Sequence, residues 1–229
     1  MPSLRAGEKQ KPMQDLVTVT GIVIKSQPVG ESDRRVTILT NSRGKVGAFA
    51  RGARKQGSRF AASTGPFAFG TFQLYEGRDS YTIADARIEN YFEELRTDME
   101  AMALASYFAE IADYYCRENN DEREMMKLLY QSLRALFAEK LGRRLVRRVF
   151  ELKALAIEGE YPGPPTDRQI LPGTVQAMNY IGESPVERLY TFTLSEAALS
   201  ELEAISDLYC KRYMEHHFRS LEILETLLD

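Results

Sequence analysis

The sequence predicts an α+β chain in two parts: a five-stranded β-barrel of the OB type over about residues 14–90, then an all-helical domain over 91–229. The first observation behind this is a change of period. Apolar residues alternate in short runs as far as Ile83 and recur every three or four positions from Thr97 onward. The second is charge. Residues 1–90 hold 14 Lys+Arg against 8 Asp+Glu and residues 91–229 hold 16 against 25, so a net charge of −3 conceals a basic front and an acidic back. The third is length, since 229 residues suffice to bury a core in each part.

Residues 1–13 are polar and are expected to form a flexible extension. Leu16 to Ser26 is rich in Val, Ile and Thr. Arg35 to Thr40 alternates cations or Thr with Val36 and Ile38, and Lys45 to Arg51 sets Val46, Ala48 and Ala50 on one face. Asn41-Ser42-Arg43-Gly44 joins the second and third runs as a hairpin. After a longer insertion, Phe67 to Glu76 and Ser80 to Ile83 resume extended structure around Gly77-Arg78-Asp79. An SH3-like barrel gives a similar pattern, and periodicity alone does not choose between the two. The boundary is expected near Tyr91 to Arg96.

Thr97 and Glu100 have the spacing of a capping box at the head of the first long helix. Leu104, Phe108, Ile111 and Tyr115 form its apolar face. After Glu118-Asn119-Asn120-Asp121, a second face runs through Met125, Leu128, Leu129, Leu133, Leu136 and Phe137. A third helix spans Arg143 to Ile157, with Leu145, Val149, Leu152 and Ala156 on one side, and Gly159 to Pro165 ends it. Residues 159–190 read as irregular. Helicity returns near Leu194 with Ala198, Leu202, Ile205, Tyr209 and Tyr213, and a last helix covers Phe218 to Leu228.

Several classes of function find no residues to carry them. Cys116 and Cys210 make neither a disulfide framework nor a four-ligand zinc site. His216 and His217 are adjacent and point apart on a helix, and no phosphate-loop lysine followed by Ser or Thr occurs, so no enzyme chemistry and no cofactor or metal is expected. No apolar run approaches roughly 18 residues and the start lacks a secretory signal, which points to a cytoplasmic protein and away from the membrane.

What remains is cationic. Between Lys25 and Phe60 stand nine cations against only Glu31 and Asp33. Four of them, Arg51, Arg54, Lys55 and Arg59, lie in the glycine-bounded run Arg51-Gly52-Ala53-Arg54-Lys55-Gln56-Gly57-Ser58-Arg59-Phe60, where phosphate contact is expected, aided by the amides of Gly52 and Gly57 and the Ser58 hydroxyl. Arg34, Arg35, Arg43 and Lys45 on the neighbouring hairpin extend the track, unless Glu31 and Asp33 pair with Arg34 or Arg35. Phe49 alternates with Ala48 and Ala50. A core position is the favoured reading, and an outward position stacking on a base is the other. On the third helix Arg143, Arg144, Arg147 and Arg148 form a second cluster, either a salt-bridged face, with Glu151 four residues after Arg147, or a second site for nucleic acid or for an acidic peptide of a partner.

The chain resembles the RecO family of bacterial recombination mediators. The resemblance rests on Thr20-Gly21-Ile22-Val23-Ile24, Gly30-Glu31-Ser32-Asp33-Arg34-Arg35-Val36, Ala50-Arg51-Gly52-Ala53-Arg54-Lys55 with Ser58-Arg59-Phe60 and Pro66-Phe67, Leu95-Arg96-Thr97-Asp98, Phe150-Glu151-Leu152-Lys153 and Phe218-Arg219-Ser220-Leu221. It implies binding of single- and double-stranded DNA and so an association with the nucleoid, annealing of complementary strands, and help in loading a recombinase onto strands coated by single-strand-binding protein. It also implies two protein partners, a RecR-like mediator and the acidic tail of the single-strand-binding protein, the latter on the helical domain. Many members bind a structural zinc through paired cysteines after the third helix. Residues 159–190 contain no Cys and no His, which places the chain in the branch without zinc and leaves prolines and packing to order that segment. On the residues alone, a protein-interaction adaptor and an RNA-binding barrel stay open as alternatives.

Overall fold

The computed structural model describes residues 15–78 and 80–228, and the expected extension over 1–13 lies outside them. Five strands, β1 (Leu16–Val29), β2 (Asp33–Thr40), β3 (Lys45–Ala50), β4 (Phe69–Glu76) and β5 (Tyr81–Asn90), close a barrel in the order β1-β2-β3-β5-β4. All pairings are antiparallel except β3 with β5, which is parallel and short, joining Ala48 to Tyr81 and Phe49 to Thr82. This topology is that of an OB-type barrel. Val19, Val23, Val36, Ile38, Val46, Ala48, Phe72, Leu74 and Ile83 fill it. A four-residue helix absent from the sequence reading, α1 (Phe60–Ser63), sets Phe60 into the same core. One helical turn is too short to leave a period. β5 is longer than expected because Asp85, Arg87 and Glu89 face outward along it and disguise the strand.

One side of the barrel is apolar on its outside as well. A register shift between Val23 and Lys25 bulges β1 at Ile24. Ile22, Ile24 and Leu39 turn outward there and join Phe67 and Phe92 in the core of the helical domain. Phe92 is buried with φ 46°, a left-handed conformation held by its amide bond to Asn90 Oδ1 and by the Tyr130 ring 5.5 Å away. The hairpin of β2 and β3 is tied to the same domain through backbone. Lys45 N donates to Arg117 O, Asn119 N donates to Arg43 O, and Gly44 approaches so closely that a Cβ would sit 2.1 Å from Arg117 O.

The helical domain comprises α2 (Met99–Tyr115), α3 (Arg123–Ala135), α4 (Arg143–Ile157), α5 (Pro172–Glu183), α6 (Glu196–Tyr213) and α7 (Arg219–Leu228). Every apolar face read from the sequence is turned inward, with Tyr115, Phe137, Ala156 and Tyr213 at its edges. Two expectations fail. The cap of α2 is Asp98, whose carboxylate accepts from Ala101 N at 3.0 Å. Thr97 instead ends a 3-10 turn, donating to Glu94 O, while Glu100 bonds Arg143. Nor is 159–190 irregular throughout, for α5 lies inside it with Thr174, Ala177, Met178 and Ile181 buried at helical spacing. Gly173, Thr174, Asn179 and Gly182 are weak helix formers, and packing overrides them. Tyrosines order the stretch before α5. Tyr115 Oη donates to Glu160 Oε2 at 2.6 Å, Tyr161 Oη to Met178 O at 2.9 Å and Tyr209 Oη to Gly163 O at 2.8 Å. No described helix is long and apolar enough to cross a membrane.

Candidate nucleic-acid interface

The site is built on the outer face of β2 and β3 and on the loops that flank them. Asp33 organises it. Its carboxylate accepts from Gly52 N at 2.7 Å and from Ser32 Oγ at 3.2 Å. The Gly52 amide, ahead of Ser32 and the charges of Arg51 and Lys55, holds that carboxyl below the usual carboxylate range. Arg54 fastens the basic loop to the β1–β2 turn, its amide donating to Ser32 O at 2.8 Å and its guanidinium to Gly30 O at 3.1 Å. Neither Glu31 nor Asp33 forms an ion pair with Arg34 or Arg35. The Gly52 amide is therefore not free for a phosphate, contrary to expectation. Its φ of 66° serves the turn that presents Arg51 and Lys55. Ser58 Oγ accepts from Phe60 N at 3.3 Å.

The eight candidate cations fall into four groups. Arg35, Arg51 and Lys55 are exposed and, among the described residues, have no carboxylate within ion-pair distance. Arg54 is exposed and its guanidinium bonds a carbonyl, and among the described residues it too has no carboxylate within ion-pair distance. Arg34 is half-buried and pinned to Ala61 O and Thr64 Oγ1, where it holds the loop around α1. Arg43 leans on Glu76 at 3.4 Å and on the Tyr81 hydroxyl, and Arg59 reaches Asp85 at 3.3 Å from a position 67% exposed. Lys45 is the exception. It is drawn inward to Asp113 of α2, with Nζ 2.9 Å from Oδ1 and 2.7 Å from the backbone oxygen, and Lys25 bonds the same carboxylate. Burial would raise the Asp113 carboxyl, but the two lysines outweigh it and lower it. Lys45→Ala is expected to leave oligonucleotide affinity within about twofold and to cost about 1 kcal/mol of stability, read by anisotropy and thermal melting.

Phe49 is not a core residue. Val46, Ala48 and Ala50 face the barrel interior, so Phe49 faces out, opposite Arg35 in the register of β2 and β3, with that guanidinium 5.9 Å from the ring centre. The alternation that shows this was present in the sequence. The sequence reading missed Arg78 and Tyr81. Together with Arg35, Arg43, Lys45 and Gly47 they border a cleft of about 220 Å³ beside the hairpin.

The four arginines on α4 form a salt-bridged face, each with a carboxylate partner among the described residues. Arg143 bonds Asp98 and Glu100, and Arg144 bonds Glu196 and Glu203 at 2.7 and 2.6 Å. Arg147 and Arg148 converge on the buried Glu151 at 2.8 and 2.9 Å. Helices α2 and α6, distant in sequence, supply all these acids except Asp98, which caps α2, and Glu151.

A closed five-stranded OB-type barrel, with cations on β2 and on the loop after β3 that pair with no carboxylate of the described residues, followed by a helical domain, defines the class: OB-type barrel proteins with an appended helical domain. Recombination protein O N terminal matches residues 13–92, and Recombination protein O C terminal matches 96–163 and 158–222. The chain belongs to the RecO family. It is 28% identical over 240 residues to the DNA repair protein RecO of Acetivibrio thermocellus, covering 91% of this chain and 96% of that one. With the DNA repair protein RecO of Clostridium perfringens it shares 25% over 244 residues, 93% and 99% of the two chains. A shorter match to that of Exiguobacterium sp. is 35% identical over 147 residues, 64% of this chain and 59% of the relative.

Proposed function

We propose that this chain is a DNA-binding recombination mediator in DNA repair. Its barrel binds single- and double-stranded DNA, promotes annealing of complementary strands, and assists loading of a recombinase onto strands coated by single-strand-binding protein. The observation that carries this reading is the rim of Arg35, Arg51, Arg54 and Lys55, with no carboxylate of the described residues neutralising it. Such a rim replaces the condensed counterions of a phosphate backbone, and their release drives association. Annealing then asks only that two strands be brought together with charge screened and bases accessible. Pairing supplies the remaining free energy, so the reading requires no covalent chemistry from the chain.

The family and the DNA repair names of its relatives support the same reading, and with it a RecR-like mediator and the acidic tail of single-strand-binding protein as partners. An acidic tail arriving at α4 would have to displace Glu196 or Glu203 from Arg144, the most exposed of the four arginines there.

The test is an oligonucleotide titration across a salt series. If each of the four cations meets one phosphate, the logarithm of the affinity falls against the logarithm of salt with a slope of about −2.8 on single strands and about −3.6 on duplex. Affinity that does not respond to salt, or binding that never saturates at low salt, sinks the reading.

A further inference from the structure

Charge on the rim does not distinguish single strands from duplex, because both carry phosphates. The surface between the cations does. Phe49 belongs to neither hydrophobic core, and its ring stands on the outside of β3. The Arg35 guanidinium lies over it at 5.9 Å, the outer limit of cation–π contact at about 6 Å, and is loosely enough held to swing to an arriving phosphate.

Two residues along the same face is Gly47, opposite Thr37. Other glycines of the barrel have steric reasons inside the molecule. A Cβ on Gly21 would meet Leu39 O at 2.6 Å, and one on Gly70 would meet Arg87 O at 2.2 Å. A Cβ on Gly47 would meet only the end of Arg35, at 3.9 Å. Glycine inside a strand weakens it, and it commonly marks a place where a ligand or another backbone comes close. Among the described residues no backbone atom would come within 4 Å of that Cβ. Instead, Gly47 borders the cleft that Arg35, Arg43, Arg78 and Tyr81 line together with Glu76 and Glu118.

From this juxtaposition we propose that Phe49 and Gly47 form a stacking platform for unpaired bases, which makes the barrel select single-stranded over duplex DNA. The proposal rests on the DNA-binding reading above and specifies the form of DNA that the site takes. A duplex base is already stacked and paired and cannot lie on the ring, whereas an unpaired base exposes a π face whatever its identity. Gly47 leaves room beside the ring for the neighbouring nucleotide, and the cations on either side take the phosphates.

The experiment compares the full chain with Phe49→Ala and Gly47→Val by anisotropy, on a single-stranded oligonucleotide and on a hairpin duplex of matched composition, at one fixed low salt. Both variants are expected to lose about tenfold in single-strand affinity and to keep duplex affinity within about twofold. Gly47→Val adds a β-branched residue to an open strand position, so its melting temperature is expected to hold or rise while single-strand binding falls. Because the chain contains no Trp, Phe49→Trp adds a direct reporter whose fluorescence is expected to be quenched by single strands and not by duplex.

Single-strand affinity unchanged in both variants, or equal losses on both forms of DNA, overturns the platform while the cationic rim stands. A wild-type chain that binds neither form overturns the DNA-binding reading and the platform with it.

Discussion

The triple variant Arg35→Glu, Arg51→Glu, Lys55→Glu is expected to bind single-stranded oligonucleotides on the order of 100-fold more weakly at about 50 mM salt, and duplex at least as much more weakly. All three side chains are exposed, and among the described residues none has a carboxylate within ion-pair distance. Each reversal removes one phosphate contact and adds a repulsion. The fold has little at stake, since surface changes away from specific contacts stay within about 0.5 kcal/mol, or about 2 °C for a chain this long. Asp33 sets the one internal risk, because new carboxylates at 51 and 55 would stand near it. The neutral set Arg35→Gln, Arg51→Gln, Lys55→Gln avoids that and is expected to lose about tenfold, with the salt slope on single strands smaller by about 2. Anisotropy titrations with parallel thermal melts read both. Low-salt affinity equal to wild type in the Glu variant, with an unchanged melting temperature, would falsify the assignment of the site.

In the proposed reading, the loop that carries Arg51, Arg54 and Lys55 is held in place before any ligand arrives. Asp33 is an acid inside a basic face, yet it spends its carboxylate on the Gly52 amide and the Ser32 hydroxyl. It therefore shapes the loop and leaves the cations without an ion-pair partner. Arg54 adds the bonds to Gly30 and Ser32, so the β1–β2 turn and the loop after β3, which lie at the same end of the β2–β3 hairpin, are tied together. A preformed loop loses less conformational entropy when it meets a phosphate backbone than a free one would.

The barrel and the long helices were legible in the sequence because each buries one face, and the period of the apolar residues follows from that face. The limits of α4 coincide with those read from the sequence, since its stripe runs between Gly142 and Gly159 with nothing to obscure it. What escaped was structure whose local signal opposes its tertiary fate. The glycines of α5, the charged outer face of β5 and the single turn of α1 each look unlike the element they form. The site was legible as a region but not residue by residue. A sequence shows that Lys45 and Arg144 are cations, and it does not show that Asp113 and Glu203 will stand 2.9 and 2.6 Å from them once the elements pack. Neutralisation by residues distant in sequence is a long-range property, and it separates the cations without a carboxylate partner among the described residues from Lys45, Arg143 and Arg144.

The arginines of α4 carry the largest expected effect on stability. Glu151 is fully buried and accepts four bonds, from Tyr107 Oη at 3.0 Å, Arg147 Nε at 2.8 Å, Arg148 Nη1 at 2.9 Å and Ser206 Oγ at 2.7 Å. Glu151→Gln keeps the shape, removes the charge and points an N–H at groups that are themselves donors. It is expected to cost about 3–5 kcal/mol and to lower the melting temperature by roughly 10 °C. Asp207 softens the loss for Arg148 but is itself 57% exposed, and Arg148 Nε is already buried without a partner. Replacing the whole set, with Arg147→Leu, Arg148→Met and Glu151→Leu together, is expected to recover much of the stability, because apolar packing needs no compensating charge. The same network makes the protein acid-sensitive. Burial alone would raise the Glu151 carboxyl, but Arg148 and Arg147 outweigh it and hold it below its ordinary value. Its contribution is therefore complete above the unfolded carboxylate range, near about pH 4.3, and disappears as the pH falls through the lower folded value. Wild type should lose stability on acidification more steeply than Glu151→Gln, and melts at neutral and acid pH compare the two slopes. A Gln variant that melts with wild type at neutral pH would show that the arginines of α4 are satisfied without Glu151, and that α4 is held to α2 and α6 by its apolar face alone.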